Sequence, residues 1–161
     1  MVRCAIADDP RFELDAAEID SGRPTFTALT LERLRAQCGT DQALILISGA
    51  DSFLSLPTWF DWERILQLAS IAVAARPGFS LDRESMHPAL RSEFDRRIKS
   101  VAALALSPAG AIAQFELPPL NVSASNLRAQ LRAGERPPDL LPPPVLAYIE
   151  SNRLYEPRIN R

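Results

Sequence analysis

The sequence predicts an α/β fold in which a parallel sheet is flanked by helices. Short apolar runs alternate along the chain with longer segments of helical character, and this alternation favours parallel strands. The clearest strand, residues 44–48, has no polar alternation, which is typical of a strand covered on both faces. A second strand at 71–75 is followed by proline and glycine, and a third within 111–117 is stopped by two prolines.

Helices are predicted between and after these strands. They cover approximately residues 27–37, 59–68, 90–104, 123–133 and 142–152. Pro142 to Pro144 suit a first helical turn, where proline is tolerated. The preceding proline-rich segment is therefore expected to be a rigid connector.

Composition limits the classes of function. The 161 residues suit a single domain, 1–161, and 47% hydrophobic with 24% charged residues describes a soluble globular protein without a membrane-spanning run. The start of the chain does not resemble a secretory signal, so we expect a cytoplasmic location. A net charge of −2 argues against a nucleic-acid partner.

Cysteine and histidine are too few and too scattered for several kinds of site. Cys4 and Cys38 lie far apart, and His87 is the single histidine. This excludes the recognised Cys/His zinc patterns and a histidine triad, and we predict no protein-bound metal. His87 is expected to be a solvated loop residue.

The segment 123–128 has the pattern of a helix start that binds phosphate. Ser123 suits the cap position, and Gly134 suits the position just beyond the helix end. First-turn amides carry the positive end of the helix dipole, and Arg128 is able to reach back toward them. Ser123, Ser125 and Arg128 would then surround one anion; the alternative is a plain cap and a surface arginine.

Polar residues follow the first two strands, where ligands of parallel sheets bind. Gly49 lets a ligand approach the backbone and Asp51 could accept hydrogen bonds from a ribose; alternatively, Asp51 or Ser52 caps the next helix. Arg76 follows the second strand and is placed to meet a carboxylate or phosphate. A lone surface arginine is the alternative.

Aromatic residues cluster at 59–62. Trp59, Trp62 and Leu66 could form one apolar face of a helix, or one ring could be free to stack on a planar heterocycle. Thr27 offers a cap hydroxyl at the start of the first predicted helix, and this hydroxyl could face a ligand.

Together, in this order, the motifs resemble bacterial nicotinate mononucleotide adenylyltransferase, a family of the nucleotidyltransferase superfamily. The resemblance extends over almost the whole chain. Its motifs are residues 5–8, 12–15, 25–31, 49–52, 56–60, 76–78, 122–128 and 141–145, with 148–149 and 154–155. Their order and spacing favour the ligand-binding interpretations over the structural ones.

The resemblance implies a Rossmann-like fold and an enzyme of NAD biosynthesis. Such an enzyme transfers the adenylyl group of ATP, which enters with Mg²⁺, to nicotinate mononucleotide and yields deamido-NAD and pyrophosphate. The resemblance further implies that Ser123, Ser125 and Arg128 hold the ATP phosphates, whereas Gly49 and Asp51 meet the adenosine.

For nicotinate mononucleotide, the resemblance implies a second group of residues, namely Thr27, Trp59, Phe60 and Arg76. Trp59 would lie over the pyridine ring, and Arg76 would face its carboxylate. Phe26 and Phe60 stand where tyrosine is common in the family, so ring stacking is expected there.

The family also has a strand and a His-x-Gly-His loop ahead of the segment that matches Met1, and the printed sequence has neither. We therefore expect a sheet without its first strands, with exposed edges. By itself the chain is expected to aggregate readily and to have little or no activity. A non-catalytic nucleotide-binding remnant or subunit is the alternative, and an adenylyltransferase for another phosphorylated acceptor is a third interpretation. The oligomeric state is left open.

Overall fold

The computed structural model describes residues 1–75, 81–118 and 122–155. The strands are β1 (Ile45–Gly49), β2 (Ser70–Ala75) and β3 (Ile112–Glu116). The helices are α1 (Val2–Ala5), α2 (Ala17–Ser21), α3 (Thr27–Cys38), α4 (Ala50–Leu54), α5 (Trp62–Leu68), α6 (Pro88–Arg97), α7 (Val101–Leu104), α8 (Ala124–Arg132) and α9 (Pro143–Ser151), and a 3-10 turn covers Leu56–Thr58. Among these described helices, none has the length and apolarity that crossing a bilayer requires.

The strands form a parallel sheet in the order β1-β2-β3, which confirms the predicted α/β class. Ile71 in β2 is opposite Leu46 in β1 and Ile112 in β3. β2 lies in the centre, and its consecutive residues Ile71, Ala72 and Val73 are all buried. Successive side chains of a strand point to opposite faces, so β2 requires cover on both sides.

The two faces of the sheet have unequal cover. On one face, Ile71, Val73 and Ile112 belong to the main hydrophobic core, which α3 to α6 and the 3-10 turn complete. On the other face, Leu104 of α7 packs with Ala72 and Ala113. The larger core therefore lies on the side that carries most of the helices.

The expectation that the first strand is covered on both faces is wrong. Ile45 is 38% exposed and Ile47 is 71% exposed. Within the described residues β1 pairs with β2 alone, and Leu104 packs on Ala72 of β2 and Ala113 of β3. An apolar run indicates a strand, but it does not indicate whether another element covers that strand.

The predicted helix over 59–68 begins later than expected. Trp59 has extended backbone after the 3-10 turn, and Asp61 adopts a left-handed conformation with φ 49° just before α5. Trp59 is therefore outside the helix, so the alternative in which Trp59, Trp62 and Leu66 form one face of a helix is wrong. All three residues nevertheless pack in or on the main core.

The predicted helix over 90–104 is divided into α6 and α7. Ile98 forms a parallel bridge with Ile112, and the Lys99 N–H donates to the Ile112 carbonyl at 2.8 Å. Pairing with the start of β3 thus replaces helical hydrogen bonds at this point.

His87 is exposed, but it is not a simple loop residue. It is the N-cap of α6, where its Nδ1 accepts a hydrogen bond from the Ala89 N–H at 3.3 Å.

The described residues divide into two compact units: residues 21–118, here called the sheet unit, and residues 1–20 with 122–155, here called the helical unit. The helical unit has its own small core, formed by Leu131, Val145 and Ile149. Its helices α8 and α9 lie where the sequence predicts them. The single domain 1–161 stays a prediction.

Candidate functional site

The corner between β1 and α4 carries the residues predicted to meet adenosine. Gly49 ends β1 and is the N-cap of α4, and a Cβ added there would contact nothing within 4 Å. Asp51 lies in the first turn of α4 and is exposed. The capping alternative for Asp51 and Ser52 is wrong, because neither is the N-cap. Open space therefore lies where a side chain at Gly49 would begin.

The start of α3 carries Thr27. The N-cap is Phe26, whose backbone is extended and whose side chain makes no capping hydrogen bond. Thr27 is consequently the first helical residue and is half-buried, so the expectation that its hydroxyl caps this helix is wrong. The first amides of a helix have no partner within it, and the Phe26 side chain offers no acceptor for them.

The aromatic turn, defined as Trp59 and Phe60, lies against the start of α3. The ring centroids of Phe26 and Phe60 are 4.6 Å apart, with the planes tilted by 35°. Trp59 packs on the main core, whereas Phe60 is 52% exposed. Because Phe26 precedes Thr27 directly, the structure brings Thr27, Trp59 and Phe60 into one neighbourhood.

The start of α8 has the predicted arrangement. Ser123 is the N-cap, and its Oγ accepts from the Asn126 N–H at 3.4 Å, so the plain capping interpretation holds for this residue. Arg128 Nη2 donates to Ser125 Oγ at 3.4 Å. The arginine thus lies back along the first turn, and the two serines and Arg128 are all exposed.

The far end of α8 fixes its length. Gly134 has φ 84°, and its N–H donates to the Leu131 carbonyl at 3.1 Å, while the Glu135 N–H donates to the Gln130 carbonyl at 3.0 Å. These are the paired bonds of a Schellman motif, in which glycine suits the left-handed position. The prediction that Gly134 ends the helix is confirmed.

The predicted site residues fall into two groups. The sheet unit contains Gly49, Asp51, Thr27, Trp59 and Phe60. The helical unit contains the residues at the start of α8, namely Ser123, Ser125 and Arg128. The prediction for Arg76 lies outside the described residues. That both groups hold two nucleotides together stays a prediction.

Positive charge at the start of α8 comes from the Arg128 guanidinium and from the first-turn amides. Within residues 1–75, 81–118 and 122–155, no group of three or more His, Cys, Asp and Glu side chains could hold a metal ion. The pKa of Asp9 is lowered by a hydrogen bond from Arg11, and the pKa of Glu93 by one from Arg97. Both shifts belong to ion pairs and not to predicted site residues.

Sequence reasoning missed one residue beside the aromatic turn. Ser55 Oγ accepts from the Trp59 indole Nε1–H at 3.3 Å. The contact depends on the 3-10 turn at Leu56–Thr58. The sequence prediction contains a helix from residue 59 onward but no turn before it. Pro57 was the available signal that the local backbone is a turn.

Comparison with protein-family models gives no match. Curated bacterial relatives do match, and they are named probable nicotinate-nucleotide adenylyltransferases. The protein of Dechloromonas aromatica is 44% identical over 156 residues, which are 96% of this chain and 72% of the relative. The proteins of Chromobacterium violaceum and Escherichia coli are each 42% identical with the same coverage.

Solved structures with the same fold come from Plasmodium falciparum. They are nicotinic acid mononucleotide adenylyltransferase complexed with APC and with NaAD, at 17% and 16% identity and a TM-score of 0.53 each. The match covers 83% of this chain but only 60% and 58% of those chains. At this identity the likeness supports the Rossmann-like fold alone. The identity and coverage of the curated bacterial relatives show more: this chain belongs to the nicotinate-nucleotide adenylyltransferase family.

Proposed function

We propose that this protein binds ATP and nicotinate mononucleotide for adenylyl transfer, the reaction that yields deamido-NAD and pyrophosphate. The observation that carries the proposal is 44% identity to a curated relative over 96% of the chain. That match extends through both compact units, which also supports the proposal that residues 1–161 act as one nucleotidyltransferase-like domain. A cytoplasmic location is part of the proposal and is supported by the bacterial relatives.

We assign the ATP phosphates to the start of α8. An anion there would meet backbone amides, the positive end of the helix dipole and the Arg128 guanidinium. Ser125 already accepts a hydrogen bond from Arg128 at 3.4 Å, which keeps the guanidinium near the first turn. Gly49 and Asp51 are assigned to the adenosine, because no atom lies within 4 Å of the place where a Gly49 side chain would begin.

We assign the pyridine ring of nicotinate mononucleotide to Trp59, with Thr27 and Phe60 beside it. A half-buried indole offers a flat apolar surface at low entropic cost, since its packing against the core already limits its motion. Arg76 is assigned to the carboxylate of the ring. One of the Plasmodium falciparum structures is a complex with NaAD, which supports a pyridine-nucleotide ligand for this fold.

In the proposed reaction a phosphate oxygen of nicotinate mononucleotide attacks the α-phosphorus of ATP. A new P–O–P bridge forms, the bond from the α-phosphorus to the β-bridging oxygen breaks, and its electron pair leaves with pyrophosphate. Mg²⁺ is part of the MgATP substrate and neutralises phosphate charge. The protein contributes position and preorganised positive charge, for which Arg128 and the α8 amides are suited.

A second candidate is a nucleotide-binding protein without turnover. It is favoured by the site residues themselves, since the exposed Arg128 at the start of α8 and the aromatic turn suit the binding of phosphate and of a flat ring. The two candidates share the binding residues and differ only in product formation.

The test is titration of the 161-residue protein with MgATP and with nicotinate mononucleotide, combined with an assay for deamido-NAD. Arg128→Ala should weaken ATP binding about tenfold, because it removes a charged hydrogen-bond donor. Arg132→Ala is the matched control at the other end of α8 and should change ATP binding less than about twofold, because it lies away from the first-turn amides. Binding with product supports the enzyme, binding without product supports the second candidate, and absence of both contradicts the proposal.

A further inference from the structure

The Ser55 hydroxyl lies between two segments that we assign to different substrates. It donates to the Ser52 carbonyl of α4 at 2.9 Å and accepts from the Trp59 indole N–H at 3.3 Å. A serine hydroxyl has one donor and two acceptor lone pairs, so both bonds form at once. One oxygen atom therefore connects the helix that carries Asp51 with the aromatic turn.

The backbone around Ser55 is held independently of this hydroxyl. The Thr58 N–H and Oγ1 both donate to the Ser55 carbonyl, at 2.9 and 2.7 Å, and the Trp59 N–H donates to the Leu56 carbonyl at 2.9 Å. Leu56 itself is 1% exposed and anchors the turn in the core. Loss of the hydroxyl alone should thus leave the turn intact.

The indole orientation is less strongly fixed than the backbone. Trp59 is half-buried and packs on the main core, so part of its surface stays accessible. The hydrogen bond from Nε1 to Ser55 selects one rotation of the ring about its side-chain torsions. Without this hydrogen bond the ring can rotate, and its rotation must be restricted again each time a ligand stacks on the ring.

We propose that Ser55 is a positioning residue, which holds the Trp59 indole ready to receive the pyridine ring of nicotinate mononucleotide. The inference rests on the proposed function, because Trp59 must be the stacking residue. Ser55 is expected to influence nicotinate mononucleotide and not ATP. Re-ordering one large side chain should weaken nicotinate mononucleotide binding about three- to tenfold.

The experiment uses the 161-residue protein with Trp62→Phe, so that Trp59 is the single remaining tryptophan of the two in the chain. Ser55→Ala, Ser55→Thr and Ser85→Ala are made in that background. Ser85 is the matched control, because its Oγ also donates to a carbonyl three residues earlier, that of Asp82, at 2.9 Å. Circular dichroism confirms that every variant is folded.

Two measurements are made. The NMR signal of the Trp59 indole N–H should shift and exchange faster with water in Ser55→Ala, and remain in place in Ser55→Thr and Ser85→Ala. Quenching of Trp59 fluorescence then reports nicotinate mononucleotide affinity, which should fall about three- to tenfold in Ser55→Ala alone, while ATP affinity stays within about twofold. Where turnover is present, KM for nicotinate mononucleotide should rise with kcat unchanged.

The outcomes separate the two ideas. If the Trp62→Phe protein does not bind nicotinate mononucleotide, the proposed function is contradicted and the inference with it. If that protein binds and Ser55→Ala binds equally well, only the inference is contradicted. A loss of nicotinate mononucleotide affinity in Ser85→Ala equal to that in Ser55→Ala would also contradict the inference, because removal of any such hydroxyl would then have the same effect.

Discussion

The sheet unit and the helical unit hold their candidate binding residues in different ways. In the sheet unit, Trp59 rests on a core in which Phe53 and Leu56 are each 1% exposed. In the helical unit, Ser123 and Arg128 are exposed, and their helix is fixed by the small core around Leu131. Recognition of a flat ring needs a packed surface, whereas recognition of phosphate needs accessible amides and charge.

The largest expected effect tests the difference between the two cores. Phe53→Ala should lower the free energy of unfolding by about 3–5 kcal/mol, because it leaves a cavity beside Phe94, whose ring centroid is 5.9 Å away. Leu131→Ala in the smaller core should cost about 2–3 kcal/mol. Urea denaturation measures both, and a larger loss for Leu131→Ala would reverse the comparison.

Arg35 tests whether the sheet unit also relies on polar anchoring. Its guanidinium donates to the carbonyls of Leu68 and Pro108 at 2.6 Å each, and to those of Gly39 and Gln42 at 2.9 and 2.6 Å. Arg35→Ala should cost about 2–3 kcal/mol, since partly buried carbonyls lose a charged donor.

Arg35→Lys is the matched variant, since it keeps the charge and loses the planar fork of donors. It should recover only part of the stability in the same urea experiment. Full recovery by lysine would show that charge, and not the geometry of the donors, stabilises this region.

The cap of α8 provides a smaller effect, confined to the helical unit. Ser123→Ala removes the acceptor for the Asn126 N–H and should cost about 1 kcal/mol of stability. Ser123→Asp keeps an acceptor and should remain close to wild type. Chemical denaturation followed by circular dichroism measures both variants. If Ser123→Ala were as stable as wild type, the cap would contribute nothing.

The smallest effect concerns pH and the surface of the sheet unit. Glu93 pairs with Arg97 at 2.5 Å and with Arg96, and these bonds lower its pKa from the usual 4.5. A carboxylate whose pKa is lowered in the folded state stabilises the protein above its unfolded pKa, and this contribution is lost as pH falls through the folded value.

The pair is partly exposed, so its contribution should stay below about 1 kcal/mol. Glu93→Gln should be less stable than wild type at neutral pH, and the difference should vanish at acidic pH below the lowered pKa. Thermal denaturation at several pH values measures this. A difference that persists unchanged in acid would assign the effect to packing instead of charge.

Local sequence signals predicted the elements that depend on local chemistry. The strands β2 and β3 and the cap and glycine stop of α8 follow from apolar runs, proline, serine and Gly134. The break at Ile98 was not predictable in this way, because it depends on pairing with Ile112, which is distant in sequence. The late start of α5 depends on the left-handed conformation of Asp61, a residue type that does not demand it.

In the candidate site, too, the features set by local sequence were predicted and the contacts between distant segments were not. The corner at Gly49 and Asp51 was predicted because it follows a strand, and the anion-binding pattern of α8 because it lies within one helical turn. The contact between Phe26 and Phe60 joins segments far apart in the chain. The link through Ser55 required the turn geometry.

The outer side of β1 has a practical consequence for any work with this protein in solution. Ile47 is 71% exposed on a strand that, in the described part of the chain, has a neighbour on one side only. Two molecules that meet along such strands can add backbone to backbone. Binding and stability should therefore be measured at several protein concentrations, since in concentrated samples the measured values would combine those of single molecules and of assemblies.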